Sequence, residues 1–458
     1  MKDQLIAHNG FQFNPRKEYV VFAGMADYAA TTQFTAQFLQ QDTPKEVEPV
    51  YITNRFLGPE FGTNVVVVNA GLCEKMRAGL DPRIQALTSA KNSNDFMAQA
   101  HRSYTVRSIL TEIAGNQDRT YVNMFHGIPF YPDLGESVLR ICADPQLYVD
   151  LDNKEYQRAL AQKHGVPIPP GEKVDSRTEL LKAFKSRYEG TGAFVTSLDP
   201  NWGGTGCALI DTYEELVADK KFEREESPYL ILTKLSRASS PNCMGIVANP
   251  DEVFICTLSD QLFSDGKNGT SHAGNCYPAT APPESSEEII KQTKKIGQVL
   301  ASMDYKGFFG VDYIVDNQGR VFMAEINPRK QSSTPQSMFL LAPELNLGEL
   351  ELRAIRDGTF GRTLTDMPPL KTCCAYKETK ARDTILLNGI VDNGTGRNVF
   401  ASGDGARLLT SYLPGTTISA GETIGGILSV NESRDEVQAE IENLERMIQS
   451  ELKIQDAV

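Results

Sequence analysis

The chain has 458 residues, 40% of them apolar and 23% charged, with 36 glycines and 24 prolines. That is globular composition spread over roughly three domains of ~150 residues, which excludes a fibre, a disordered tail and a small disulfide scaffold. A net charge of −13 argues against nucleic-acid or anionic-membrane partners, while a local basic pocket for phosphates stays compatible with it.

Along the first 150 residues, strands and helices alternate. Residues 19–23 form a short apolar run ending at Gly24, and 27–40 place Phe34, Phe38 and Leu39 on one helical face. Buried strands are expected at 47–52 and 64–68, and a helix at 104–114. This alternation predicts a parallel-sheet α/β unit. One glycine at the first turn falls short of G-x-G-x-x-G, so no dinucleotide site is assigned. The stretch 125–130 reads as a strand-to-turn edge, with His126 more often structural than catalytic in such a place.

A break falls near residue 150. Asp152-Asn153-Lys154 opens a helix to about 164, stopped by Gly165 and the prolines at 167–170. A second helix is expected at 177–188, capped by Ser176, and then a strand at 193–198. A glycine-rich loop, Asn201-Trp202-Gly203-Gly204-Thr205-Gly206, follows. Strands are expected at 229–235 and 252–259, a helix at 285–303, and a hairpin from 310–315 and 321–326 around Asp316-Asn317-Gln318-Gly319. From about 369 a third region has strands near 382–392 and 406–412, a turn at Pro414-Gly415 and a closing helix at 433–452. There Val437, Ile441, Leu444, Ile448 and Leu452 form an amphipathic stripe.

The eight cysteines contain no CxxC pair and the five histidines are unclustered, so zinc is not expected. Reduced thiols, the lack of a basic-then-apolar N-terminus and the lack of a ~20-residue apolar run predict a cytoplasmic protein with no membrane partner.

Chemistry concentrates in the hairpin. Residues two apart on a strand share a face, so Glu325 and Asn327 project together, and the turn at 316–319 can bring Asp312 beside them. Two carboxylates and an amide oxygen are hard ligands that suit Mg²⁺ held between protein and phosphate, with Mn²⁺ able to replace it. Arg329 can present a planar fork to a phosphate or carboxylate. The alternative is a surface hairpin with scattered polar residues. Apolar residues flank each acid, however, and buried unpaired carboxylates are costly.

Asp312 followed by Glu325-x-Asn327-Pro328-Arg329 resembles the ATP-grasp superfamily, which includes D-alanine–D-alanine ligase, biotin carboxylase and microbial peptide ligases. The resemblance runs in order from about Asp152 to Arg329. It implies an α/β (mixed α+β) ATP-grasp fold, with a Rossmann-like pre-ATP-grasp domain over 1–150. The ATP-grasp domain would span 151–368, with its small lobe at about 171–235 and its large lobe at 236–368. A small β-rich domain ending in a helix would span 369–458. The resemblance also implies that Lys154 meets the ATP phosphates and that Gly203, Gly204, Thr205 and Gly206 form a mobile loop whose N–H groups close over them. Leu232, Thr233, Lys234 and Leu235 would then lie on the hinge strand that reads the adenine edge. The family usually carries a second lysine on the strand before the loop. Here Thr196 stands in that strand, and either Lys234 or Arg237 compensates or nucleotide binding is weakened. Lys234 is read equally well as a solvated strand-edge lysine.

Ser239-Ser240-Pro241-Asn242 and Ser259-Asp260-Gln261 resemble the pheganomycin-type peptide ligase group of natural-product pathways. That resemblance implies an ADP-forming carboxylate–amine ligase working through an acyl phosphate, with small-molecule acid and amine substrates and a homodimer. Arg329 and Asn327 would serve catalysis, and Gln261, His272 and Lys330 would be near substrate, although His272 could equally cap a loop. Two other readings stay open, a ligase acylating a thiol and a non-catalytic ATP-binding regulator. The C-terminal turns are similar in spacing to small β-sandwich domains, with no lysine in a lipoyl or biotin context. Cys373-Cys374 is read as packing more than as a redox pair.

Overall fold

A computed structural model describes residues 3–451, apart from 56, 58–60, 72, 74–92, 126–136, 200–205, 265–269, 343, 387–397, 402–404 and 411–416. The first sheet has six strands, β1 (Ile6–Asn9), β2 (Lys17–Gly24), β3 (Glu46–Thr53), β4 (Val65–Val68), β5 (Thr120–Met124) and β6 (Val138–Ile141), in the order β1-β4-β3-β2-β5-β6. All neighbours are parallel except β1 on β4. Helix α1 (Thr31–Leu39) covers one face, and α2 (Ser93–Arg102) with α3 (Tyr104–Ala114) covers the other. Coverage on both faces is why β2 and β4 read as unbroken apolar runs rather than alternations.

Two short helices, α4 (Pro145–Leu151) and α5 (Lys154–Lys163), lead into the second sheet. Its antiparallel strands are β7 (Gly171–Val174), β8 (Ala193–Ser197), β9 (Cys207–Ile210) and β10 (Tyr229–Thr233), in the order β7-β10-β8-β9. Helices α6 (Arg177–Arg187) and α7 (Tyr213–Ala218) back it through Leu180, Phe184, Leu216 and Ile231.

The third sheet is the largest. It begins with β11 (Arg237–Ser239), β12 (Pro241–Asn249), β13 (Glu252–Ile255), β14 (Ser259–Phe263), β15 (His272–Tyr277), β16 (Gly307–Asp316) and β17 (Val321–Asn327). Helices α8 (Pro283–Ala301), α9 (Thr334–Leu341) and α10 (Leu347–Asp357) pack on it. It continues through β18 (Cys373–Lys380), while β19 (Ile385–Leu386) forms a small separate pair. Next come β20 (Asn398–Ala401) and β21 (Arg407–Thr410), then β22 (Thr417–Ile418), the partner of β19, and β23 (Thr423–Asn431). Helix α11 (Arg434–Glu451) closes the described chain, with Val437, Ile441, Leu444 and Ile448 buried as their spacing predicts. Among the described residues no helix is long and apolar enough to cross a membrane.

Several expectations shift. The third region joins the large sheet, where β18 pairs with β15, Cys276 against Ala375. The expected strand 252–259 is two strands. β13 folds back on β12, and β14 crosses to pair with β15. The apolar run through 253–258 conceals that break. Helix α8 starts two residues early because Pro283 fits its first turn, where no N–H is needed. The expected strand 229–235 ends at Thr233. Most of the expected strand 382–392, the turn at Pro414-Gly415, the 126–130 stretch and Leu452 lie outside the described residues. All eight cysteines are free, and Cys373 and Cys374, as successive strand residues, point to opposite faces of β18.

Helix α10 ties the first sheet to the third. Leu352 packs with Val20 and Phe38, while Leu347, Leu350 and Ala354 pack with Met244 and Ile246. Glu351, on the same helix, meets Lys330, and both side chains are almost wholly buried. Burial raises the Glu351 pKa and the Lys330 charge opposes it. Lys330 Nζ also donates to the carbonyls of Met124 and Ile141, each at 3.1 Å, at the ends of β5 and β6. The ammonium, expected near substrate, is thus almost wholly buried with three partners inside the protein. Removing one member of a buried pair strands the other charge, so Lys330→Met should cost roughly 3–5 kcal/mol in urea unfolding. Lys330→Met with Glu351→Leu should recover most of that, and a single variant losing under about 1 kcal/mol would contradict the latch.

Candidate active site

The site grows from the turn of the β16–β17 hairpin. Asp316 Oδ1 accepts the N–H groups of Gln318 and Arg320, both at 2.9 Å, and its Oδ2 accepts Arg320 Nε at 2.7 Å. Gly319 supplies the positive φ of 77° the turn needs. With the turn closed this way, Asp312 pairs with Glu325, Val311 with Ile326 and Gly310 with Asn327. The three residues expected together are brought together.

Two like charges directly opposite on neighbouring strands repel each other. Neutral amides absorb part of this. Asn327 Nδ2 donates to Asp312 Oδ2 at 3.0 Å, and Asn242 Nδ2 on β12 donates to Oδ1 at 2.6 Å. Asn242 is itself held by Ser333 Oγ at 3.3 Å and donates to Gln331 Oε1 at 3.0 Å. Burial and the Glu325 charge push the Asp312 carboxyl up to about 6, against the pull of these amides and of Arg329. An amide that spends its NH₂ on Asp312 keeps its carbonyl oxygen for a cation. Among the described residues no group of three His, Cys, Asp or Glu side chains could hold a metal. Two carboxylates and one amide oxygen instead suit a hard cation completed by phosphate and water oxygens.

Cationic groups surround this pair. Lys154, the first residue of α5, places Nζ 4.0 Å from Glu325 Oε1. The Asn153 side chain caps that helix by accepting from Glu155 and Tyr156 N–H. The buried Gln157 then clamps it to β17. Its Nε2 donates to Ile326 O at 2.7 Å and to Leu151 O at 2.8 Å, and its Oε1 accepts Ile326 N–H at 2.8 Å. Arg329 lies over the Phe125 ring, 5.6 Å from its centroid, and donates to Lys330 O at 3.2 Å. Asp152 belongs to the same neighbourhood. Burial raises its pKa, Arg329 and Lys154 oppose the rise, and Glu325 adds to it.

On the second sheet Thr196 is buried and pairs with Cys207. The carbonyl of Cys207 accepts Lys221 Nζ at 3.1 Å. Burial raises the Cys207 thiol, while Lys154 and Lys221 oppose the rise. The Cys207 thiol thus lies within electrostatic reach of Lys154 and Lys221. Lys234 pairs with Asp211, and Arg237 stacks on Phe263 at 4.5 Å. Lys221, which the sequence gave no reason to pick, holds the carbonyl of the edge strand β9, one strand beyond Thr196. Leu232 and Thr233 end β10, and Lys234 and Leu235 lead into β11, so these four residues sit where the chain passes from the second sheet to the third. Gly203, Gly204 and Thr205 lie outside the described residues, while Gly206 O accepts Ser197 N–H at 2.9 Å.

His272 and Gln261 lie on adjoining strands of the third sheet. His272 Nε2 bonds Asn275 Oδ1 at 3.2 Å. Burial lowers its pKa, the Asn275 bond opposes this, and the Arg329 charge lowers it further, so His272 shares the field of the site. Gln261 pairs with Asn275 in the strand register.

This architecture is the mixed α/β ATP-grasp fold, and residues 201–333 match the family model of the ATP-grasp domain. The chain is 26% identical over 201 residues to L-propargylglycine–L-glutamate ligase of Streptantibioticus cattleyicolor, covering 39% of this chain and 40% of that protein. It is 23% identical over 197 residues to D-alanine–D-alanine ligase of Corynebacterium urealyticum, covering 41% and 52%. Both relatives are ligases, and the chain spans about two fifths to one half of their length. Among solved structures, the ADP complex of the purK N5-carboxyaminoimidazole ribonucleotide synthetase superposes with a TM-score of 0.57 at 12% identity, over 97% of this chain and 98% of that one. Biotin carboxylase from Campylobacter jejuni gives 0.60 at 13%, over 94% and 91%. These likenesses run almost end to end and establish the fold.

A cation at Asp312 must displace the proton held there below about pH 6. Mn²⁺ affinity, read by electron paramagnetic resonance, should therefore rise with pH up to about 6 and level off above it. An affinity already flat from acid to neutral pH would contradict the raised pKa.

Proposed function

We propose that this chain is an ATP-dependent carboxylate–amine ligase that forms an amide or peptide bond through an acyl phosphate and releases ADP and phosphate. The observation that carries the reading is the convergence of Asp312, Glu325, Asn327, Lys154 and Arg329 at one end of the hairpin. When bound, Mg²⁺, or Mn²⁺ in its place, supplies charge neutralisation for the phosphates, and Asp312, Glu325 and Asn327 would hold it. Lys154 brings positive charge to the triphosphate, and Thr196 stands on the strand that leads into the glycine-rich loop. The loop of Gly203, Gly204, Thr205 and Gly206 covers the phosphates, and Leu232, Thr233, Lys234 and Leu235 take the adenine at the junction of the two sheets.

The substrate carboxylate oxygen attacks the γ-phosphorus, and the bond from that phosphorus to the ADP oxygen breaks. Arg329 steadies the negative charge on the phosphorylated acid. The amine nitrogen then attacks the acyl carbon, the carbon–oxygen bond to phosphate breaks, and the nitrogen gives up its proton. His272, with its lowered pKa, stays neutral near pH 7 and orients the acid beside Arg329, with Gln261 flanking it. A role in specialised metabolism is supported by the likeness to L-propargylglycine–L-glutamate ligase. A homodimer is supported by the dimeric biotin carboxylase domain among the structural neighbours. The division near 150 is supported by the separate first sheet, whereas the large sheet runs on through β18 past 368.

The test is ADP release with Mg-ATP across pooled carboxylic acids, comparing the wild type with Glu325→Gln. Acid-dependent release that falls roughly 10²-fold or more in the variant is expected, because it removes one of two charges at the cation site. Release of AMP would overturn the acyl-phosphate route, and no turnover with tight Mg-ATP binding would favour a regulator.

A further inference from the structure

The amine step leaves one proton to be placed. A neutral amine nitrogen that bonds to the acyl carbon becomes positively charged, and it must shed a proton to end as an amide. Lys154 and Arg329 carry positive charge, and on the reading above Asp312, Glu325 and Asn327 face the divalent cation. A base must come from elsewhere, and a bulged strand beside the site offers one.

Strand β15 opens at His272. Residues three apart on a regular strand point to opposite faces. Here the register slips between the pairs Leu262–Gly274 and Phe263–His272, which leaves Ala273 as the extra residue of a bulge. Gly274 takes a φ of 155° there, and a Cβ on it would run into the Tyr376 carbonyl oxygen. Bulges re-aim side chains, and this one turns His272 onto the Asn275 side chain. Asn275 is 3% exposed, and its amide is engaged at both ends. Its Nδ2 donates to Ser259 Oγ at 3.0 Å, while its Oδ1 lies 3.5 Å from Ser332 Oγ and 3.2 Å from His272 Nε2. An amide oxygen only accepts, so the neutral ring carries its proton on Nε2 and keeps a bare lone pair on Nδ1. Among the described residues no hydrogen bond reaches Nδ1. The ring is also fastened to the site. Ser332 lies in the segment that follows Arg329, and Ser259 pairs in register with Asn242, which holds Asp312 at 2.6 Å.

We propose that His272 is the base of the amine step, its Nδ1 taking a proton from the attacking nitrogen, and that Asn275 is the positioning residue that holds the ring in this tautomer. The inference rests on the ligase reading above and adds a task to the ring placed there beside the acid. The amine enters uncharged, and its lone pair forms the bond to the acyl carbon while a carbonyl electron pair moves to oxygen. One N–H proton passes to Nδ1. As the carbonyl re-forms, the carbon–oxygen bond to phosphate breaks and its electron pair leaves with the phosphate. The imidazolium then returns its proton to solvent. Burial, and after it the Arg329 charge, lowers the ring's pKa against the pull of Asn275, so the ring rests neutral near pH 7 and gives up the captured proton readily.

The experiment follows amide formation by the full chain with Mg-ATP, an acid that supports ADP release and pooled L-amino acids as amines, from acid to mildly alkaline pH. His272→Ala should lose amide formation roughly 10²-fold, and added imidazole should restore it about tenfold. Unchanged Mg-ADP affinity shows that the variant is folded. Asn275→Asp sets a carboxylate against the Nε2–H group and raises the ring's pKa, so the acid limb of the pH profile should move up by about one pH unit. Amide formation intact in His272→Ala overturns the proposal. A loss that imidazole does not restore, with the acid limb unmoved in Asn275→Asp, also overturns it, because a ring that only caps a loop or orients the acid behaves in that way. A wild type with no acid-dependent ADP release from any pooled acid overturns the ligase reading and the base with it. Acid-dependent release with an unaffected His272→Ala overturns the base alone.

Discussion

Asp312 and Glu325 face each other across one pair of strands, and everything around them answers that repulsion. The hairpin turn fixes the register that opposes them. Asn242 and Asn327 supply N–H groups without charge, so the pair stays short of positive charge on the side that faces solvent. Lys154 stands 4.0 Å from Glu325, and on the proposed reading a divalent cation and its phosphates meet the rest of the shortage. A site fully satisfied by its own side chains would be more stable and chemically idle.

The position of those cations depends on contacts that carry no chemistry themselves. Gln157 behaves like a short piece of strand. It pairs with both backbone groups of Ile326 and so sets the start of α5, and Lys154 with it, beside Glu325. On the other side of Arg329, the Lys330 ammonium is anchored among the ends of β5 and β6 and the Glu351 carboxylate. The segment between Asn327 and Thr334 is thus pinned from two sides at its middle, to the large sheet through Gln331 and Asn242 and to the first sheet through Lys330. One short segment holds Asn327, the Arg329 side chain and the buried Lys330 in a single frame.

What was legible in the sequence follows the range of the interactions. The trio Asp312, Glu325 and Asn327 could be read because a strand's period of two and a tight turn are local patterns. The helix stripe of α11 and the buried runs of β2 and β4 could be read for the same reason. Asn242 could not, because its partner Asp312 lies 70 positions away, and neither could Gln157, whose partner Ile326 lies 169 away. The burial of Lys330 could not be read either, since the carbonyls of Met124 and Ile141 that hold it lie 206 and 189 positions away. The joining of β18 to β15 likewise leaves no local mark, since the two strands are separated by three helices and another hairpin. Lys221 escaped notice because its bond to the Cys207 carbonyl on the edge strand β9 follows no local pattern.

The central claim is that a carboxylate oxygen of the donor becomes bonded to phosphorus and leaves with it. A donor acid labelled with oxygen-18 in its carboxylate, turned over with Mg-ATP and an amine, tests this directly by mass spectrometry of the phosphate. One labelled oxygen per released phosphate, with unlabelled ADP, is the predicted result. Label carried into AMP, or amide formed with no label in any phosphorus-containing product, would contradict the account.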